Sequence, residues 1–94
     1  MIDYLDMVKE YHLKYNCPIS ISPQRHDTIS VLDMEDCYKL IAEEFQEFGA
    51  AETREDIQQS LANLLYAVFR TCLVYGVPIN DIFTEIHRKR VGER

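Results

Sequence analysis

Ninety-four residues make one small domain of about three or four helices, and burial alone stabilises a chain of that length only modestly, so oligomerisation is expected to complete its core. A net charge of −6, from 10 basic and 16 acidic residues, argues against a nucleic-acid partner, because backbone binders draw affinity from Lys and Arg on phosphates. No apolar run approaches the roughly 20 residues of a membrane span, and Cys17, Cys37 and Cys72 fit neither a disulfide framework nor a zinc site, so a soluble chain in the reducing cytoplasm is expected.

The segment IDYLDMVKEYHLKY, residues 2–15, places Ile2, Leu5, Val8 and Tyr11 or His12 near helical spacing and stops before Asn16-Cys17-Pro18, which predicts a first helix. CPISISPQRHDTISVL follows with two prolines and no periodicity, and reads as an extended loop crossing the bundle. Asp33 is the expected cap of a second helix running to about Ala51, with Glu35 and Asp36 in its first turn and Tyr38, Ile41, Phe45 and Phe48 on its apolar face.

A third helix is predicted over residues 55–75, on Ile57, Leu61, Leu64, Leu65, Val68 and Cys72, with Gly76 as its stop. After Pro78, Asn80 is the expected cap of a last helix whose stripe is Ile79, Ile82, Phe83 and Ile86 and whose end, HRKRVGER, is basic. These elements give an all-α four-helix bundle in a single domain, 1–94.

Two stretches carry possible chemistry. In IAEEFQEFGA, Glu44 and Glu47 are three apart and Glu43 and Glu47 four apart, so the carboxylates share one side of the second helix, either as half of a metal site or as a solvated face. The run from Ile57 to Phe69 has no charged residue, as expected of a helix buried on most sides, yet it contains Gln59, Ser60 and Asn63. A buried Asn63 amide would need partners or cost about 1–3 kcal/mol, and it is either a satisfied core asparagine or part of a site. The chain's charge is also divided: residues 1–56 carry 13 acids and 5 bases, residues 57–94 carry 3 acids and 5 bases, a distribution open to an Mg-bound anion or simply to an acidic surface.

LIAEEFQEFGAA followed by SLANLLYAVFRTCLVYGVPINDIFTEIHR resembles the MazG-like all-α nucleoside triphosphate pyrophosphohydrolases, especially their phosphoribosyl-ATP pyrophosphohydrolase-like branch, across residues 38–88. YHLKYNCPISISP is similar to the FH-then-proline opening of that branch. The resemblance implies a MazG-like bundle in which an ExxE on one helix and an ExxD on the next hold Mg²⁺ against a triphosphate, while water attacks and pyrophosphate leaves.

Glu44 and Glu47 match the ExxE, and Glu43 completes an EExxE. On the second motif Ser60 stands at the Glu, Asn63 at the Asp, and Gln59 at an alternative acid position. Arg70 replaces a frequent Gly, and HRKRVGER replaces an HRSNMSK-like end. The implied ligands of Mg²⁺, or Mn²⁺, are therefore Glu44, Glu47, Asn63 and Ser60, with Glu43, Glu44 and Glu47 as the catalytic set and Glu43 as the base or a supporting acceptor.

Hard oxygen donors shared between protein and phosphates suit Mg²⁺. Each lost carboxylate removes on the order of 4 kcal/mol of Coulombic attraction per unit charge at 4 Å and an effective dielectric of 20. Lys39, Arg70, His87 and Arg88 are candidate nucleotide-binding residues, although basic groups at a helix end also complement its dipole. Tyr66 and Tyr75 suit stacking on a base or ordinary packing.

The expected function is binding of an Mg–nucleoside triphosphate by a homodimer or homotetramer, with α–β hydrolysis to monophosphate and pyrophosphate weakened by Asn63 and Ser60. The alternatives are an inactive nucleotide-sensing or sequestering pseudoenzyme and a small helical protein-binding domain.

Overall fold

The computed structural model describes residues 2–92. Helices α1 (Tyr4–Lys14), α2 (Val31–Ala50), α3 (Arg54–Tyr75) and α4 (Ile79–Gly92) follow one another, with a 3₁₀ turn at His26–Thr28 in the long loop. The chain is all-α among the described residues, as the periodicities predict, and no single helix there is long and apolar enough to cross a membrane.

Asp3 starts α1 by accepting hydrogen bonds from the Leu5 and Asp6 amides, and α1 buries Val8 and His12, four positions apart, against α3. It ends where Asn16 adopts a left-handed φ of 54° and the Cys17 amide returns to the His12 carbonyl at 2.9 Å. Ser30, not Asp33, caps α2: its backbone is extended and its hydroxyl accepts from the Asp33 amide at 3.1 Å, which puts Asp33 inside the first turn. Val31 and Leu32, read from sequence as loop, are therefore helical.

Residues 51–53 turn α2 into α3, with the Thr53 hydroxyl accepting from the Asp56 amide, and the two helices lie against each other as an antiparallel hairpin. The expectation that α3 is buried on most sides is not met. Ser60, Ala67, Cys72, Leu73 and Val74 are its buried residues, whereas Leu61, Leu65 and Asn63 are exposed. An uncharged run signalled burial, but within one chain the other helices cover only part of its circumference.

Gly76 ends α3 at φ 68°, with the Val77 and Gly76 amides returning to the Cys72 and Leu73 carbonyls. A Cβ here would also collide with the Ser22 carbonyl. That contact exists because the loop after α1 lies across the end of α3, where terminal carbonyls have no helical partner. The Ser20 and Gln24 amides fill that need, donating to Leu73 and Tyr75 at 2.8 Å each.

The chain then bends by 115° into α4. Asn80 lies in the first turn rather than capping it, because the helix already begins at Ile79 after Pro78. No residue of α4 is buried: of the predicted stripe, Ile82, Phe83 and Ile86 are exposed and Ile79 is partly covered.

Candidate functional site

Near the hairpin turn the two helices line a cleft of about 530 Å³. Glu43, Glu44 and Glu47 line it from α2, and Gln59, Ser60 and Asn63 line it from α3, so the residues singled out by sequence do share one site. Asp56 also lines this cleft. It precedes Ser60 by one turn and Asn63 by two, a helical spacing readable in the sequence, but a first-turn acid is sufficiently explained by the helix dipole and so drew no attention.

Ser60 is buried, and its hydroxyl donates to the Ile57 carbonyl at 3.0 Å. With the proton committed to that bond, its oxygen keeps lone pairs for another partner. Asn63 is exposed, so its amide needs no buried partner and the core-asparagine reading is set aside.

The donors in the cleft are carboxylate, hydroxyl and amide oxygens, with no sulfur or imidazole, a set that fits a hard cation such as Mg²⁺. Among the described residues no three His, Cys, Asp or Glu side chains gather as a metal-holding group. Any metal here would lean on the neutral oxygens of Ser60 and Asn63 and on its ligand.

A second cleft, of about 490 Å³, lies further along the helices and shares Glu43 with the first. Arg70 and Lys39 line it together with Asp33 and Asp36, and the buried His12 lines it from α1. The Lys39 ammonium lies 3.9 Å from Glu43, a long and exposed pair worth little by itself.

His12 Nδ1–H donates to the Pro18 carbonyl at 2.9 Å, which leaves Nε2 to accept from Arg70 Nε–H at 3.3 Å. Burial pushes the His12 pKa below its ordinary value; the Pro18 bond opposes that shift and the Arg70 charge reinforces it. Both hydrogen bonds use the neutral ring. Sequence offered no partner for His12, since Arg70 is 58 positions away and only the loop crossing brings Pro18 to the ring.

His87 and Arg88, grouped with Lys39 and Arg70 from the sequence, are exposed on α4 and line neither cleft. Tyr66 meets Tyr11 edge-on at 5.9 Å, and the Tyr75 hydroxyl lies 3.0 Å from His26 Nδ1. Both tyrosines are engaged in packing contacts with other elements.

Searches of curated proteins and of solved structures find no match to the chain. The family model described as phosphoribosyl-ATP pyrophosphohydrolase matches residues 8–90. That span takes in α2, α3, both clefts and the loop that braces them. With nearly the whole chain matched and the paired glutamates of α2 facing the α3 positions expected of them, this chain belongs to the phosphoribosyl-ATP pyrophosphohydrolase family.

Proposed function

We propose that the chain binds an Mg–nucleoside triphosphate in the carboxylate cleft and hydrolyses it slowly between the α and β phosphates, giving a monophosphate and pyrophosphate. The observation carrying this reading is the convergence of Glu43, Glu44 and Glu47 with Ser60, Asn63 and Asp56 on one cleft. Glu44, Glu47, Ser60 and Asn63 hold the cation, and Asp56 restores one of the two negative charges that α3 lacks at Ser60 and Asn63. When bound, Mg²⁺ or Mn²⁺ supplies the positive charge that neutralises phosphate oxygens. Glu43, between the two clefts, accepts the proton of the attacking water or orients it.

The same donor count favours a second reading, nucleotide sensing or sequestration without turnover: two of the family's expected acids are neutral here, and among the described residues no three acidic, His or Cys groups lie close enough together to hold a metal by themselves. Free thiols at Cys17, Cys37 and Cys72 suit a cytoplasmic setting for either reading.

The active form is a homodimer or homotetramer. The chain exposes 7706 Å², against about 5,700 Å² for a monomeric protein of this mass. That excess is larger than the about 800 Å² each partner buries in a standard interface. Ile82, Phe83 and Ile86 of α4 are part of the surface a second copy would cover.

Incubation with ribo- and deoxynucleoside triphosphates and Mn²⁺ or Mg²⁺, with pyrophosphate assayed, tests the reaction. Slow, metal-dependent release that disappears in Glu47→Gln is expected. A metal-dependent rise in melting temperature without release would favour sensing, since a ligand at 100 times its Kd adds about 2.7 kcal/mol to stability. A chain that responds to no nucleotide in either assay would rule out both.

A further inference from the structure

Among the described residues, Arg70 is held in place without a counter-charge. Its Nε–H reaches His12, Nη2 lies 3.7 Å from Cys17 Sγ, and the guanidinium sits 4.9 Å from the centre of the Tyr11 ring. No carboxylate lies within ion-pair distance of it among the described residues, although Asp33, Asp36 and Glu43 line the same cleft. A half-buried arginine usually meets an acid; here three neutral groups fix the plane of the guanidinium, and among the described residues none engages Nη1.

His12 is built for this role. It is 1 % exposed, and the Pro18 carbonyl requires the proton on Nδ1, so Nε2 is an acceptor aimed at Arg70. A proton on Nε2 would abolish the bond and set two cations face to face. The Pro18 carbonyl is itself positioned by the loop that Ser20 and Gln24 tie to the end of α3.

We propose that Arg70, positioned by His12 and assisted by Lys39, forms an anion subsite between α1, α2 and α3 that receives a phosphate group of a nucleotide. The identity of the ligand rests on the function proposed above; the anion subsite itself does not. Two features of the cleft favour a nucleotide. It adjoins the carboxylate cleft at Glu43, and Arg70 lies seven positions beyond Asn63 on α3, about 10 Å at 1.5 Å per residue, so one extended ligand reaches both. Asp33, Asp36 and Glu43 all stand on α2, where they repel an anion from that wall but accept hydrogen bonds from sugar hydroxyls or base amino groups. A bare polyanion suits that lining less well than a phosphate joined to a donor-rich body.

The test follows the Arg70 Nε–Hε resonance of the ¹⁵N-labelled full chain, identified by its loss in Arg70→Gln. The resonance is expected to shift with metal-free pyrophosphate and with Mg–nucleoside triphosphate. Arg70→Gln is expected to weaken both ligands about ten- to a hundredfold, the scale of a lost charge-assisted hydrogen bond or two. His12→Gln keeps an acceptor for Arg70 and is expected to retain most of the affinity, whereas His12→Leu loses as much as Arg70→Gln. Should His12→Leu fail to fold, the Arg70→Gln affinities and the wild-type resonance still decide.

An Arg70 resonance unmoved by both ligands, or wild-type affinity in Arg70→Gln, overturns the subsite. Nucleoside triphosphate binding through Arg70 that needs no metal and is unchanged in Glu47→Gln would keep the subsite and remove the metal–nucleotide reading.

Discussion

At the hairpin end of the α2–α3 groove, Glu44 and Glu47 face Asp56, Ser60 and Asn63, and neither glutamate has an ion-pair partner among the described residues. At the far end Arg70 is gripped by His12, Cys17 and Tyr11 before any ligand arrives. The acidic end gathers like charges whose mild repulsion a bound cation would relieve. The basic end is ordered by buried, sequence-distant contacts that belong to the fold itself. On the proposed function, neutral Ser60 and Asn63 weaken the acidic end and leave the basic end unaffected, so ligand capture would outlast fast chemistry.

The largest expected effect separates the ends outright. Glu47→Gln removes one of the two glutamates assigned to the cation, an attraction on the order of 4 kcal/mol per unit charge at close range. Metal-dependent nucleotide binding, followed by calorimetry, is expected to fall at least about a hundredfold. Metal-free pyrophosphate should bind as before. Asn63→Asp combined with Gln59→Asp works in the opposite direction: Mn²⁺ affinity, read from the free-ion paramagnetic signal, is expected to rise about tenfold or more, with faster pyrophosphate release. No gain in either would mean that α3 does not face the metal.

The acidic end was the more legible in sequence, because Glu44 and Glu47 obey helical spacing and the pairing with α3 follows from resemblance. Asp56 was missed although it has the same spacing from Ser60, since its place in a first turn already had a local explanation. The basic end is unreadable locally: His12 and Arg70 are 58 positions apart, and their meeting depends on the loop around Pro18. Helix boundaries failed where two residues could cap. Ser30 took the start of α2 from Asp33, and Asn80 was left inside a helix already begun after Pro78. Gly76, by contrast, was read correctly as a stop, yet its collision with Ser22 is a tertiary fact no local rule supplies.

Stability variants sharpen the contrast between the ends. Gly76→Ala places a side chain at φ 68° and against the Ser22 carbonyl, so it strains α3's terminus and the loop that carries Pro18. The conformation alone costs roughly 1–2 kcal/mol, and with the collision a fall in Tm of about 10 °C or more is expected. Weaker anion binding at Arg70 should accompany it. Thr53→Ala removes the hydroxyl that caps α3 at the hairpin end. A loss of about 1 kcal/mol, or a Tm lower by about 4–8 °C, is expected there, with pyrophosphate binding at Arg70 preserved.

The smallest expected effect is a graded one with pH, confined to the basic end. His12 titrates lower in the folded chain than its ordinary 6.5, chiefly because burial disfavours the charged ring, and also because Arg70 sits beside it, against the opposing pull of Pro18. Between the two pKa values the unfolded chain binds the proton and the folded chain does not, so stability rises with pH across that interval. His12's neutral form therefore favours folding fully above about pH 6.5, and that advantage declines as pH falls toward the folded value. Melting curves of wild type and His12→Gln are expected to run parallel above that pH and to converge below it, because the variant has no ring to protonate. Phosphate affinity at Arg70 should follow the same contrast, with an additional acid loss in wild type that His12→Gln lacks. Curves that stay parallel through the acid range would show that His12 is not the neutral brace of Arg70, whatever the carboxylate end is found to bind.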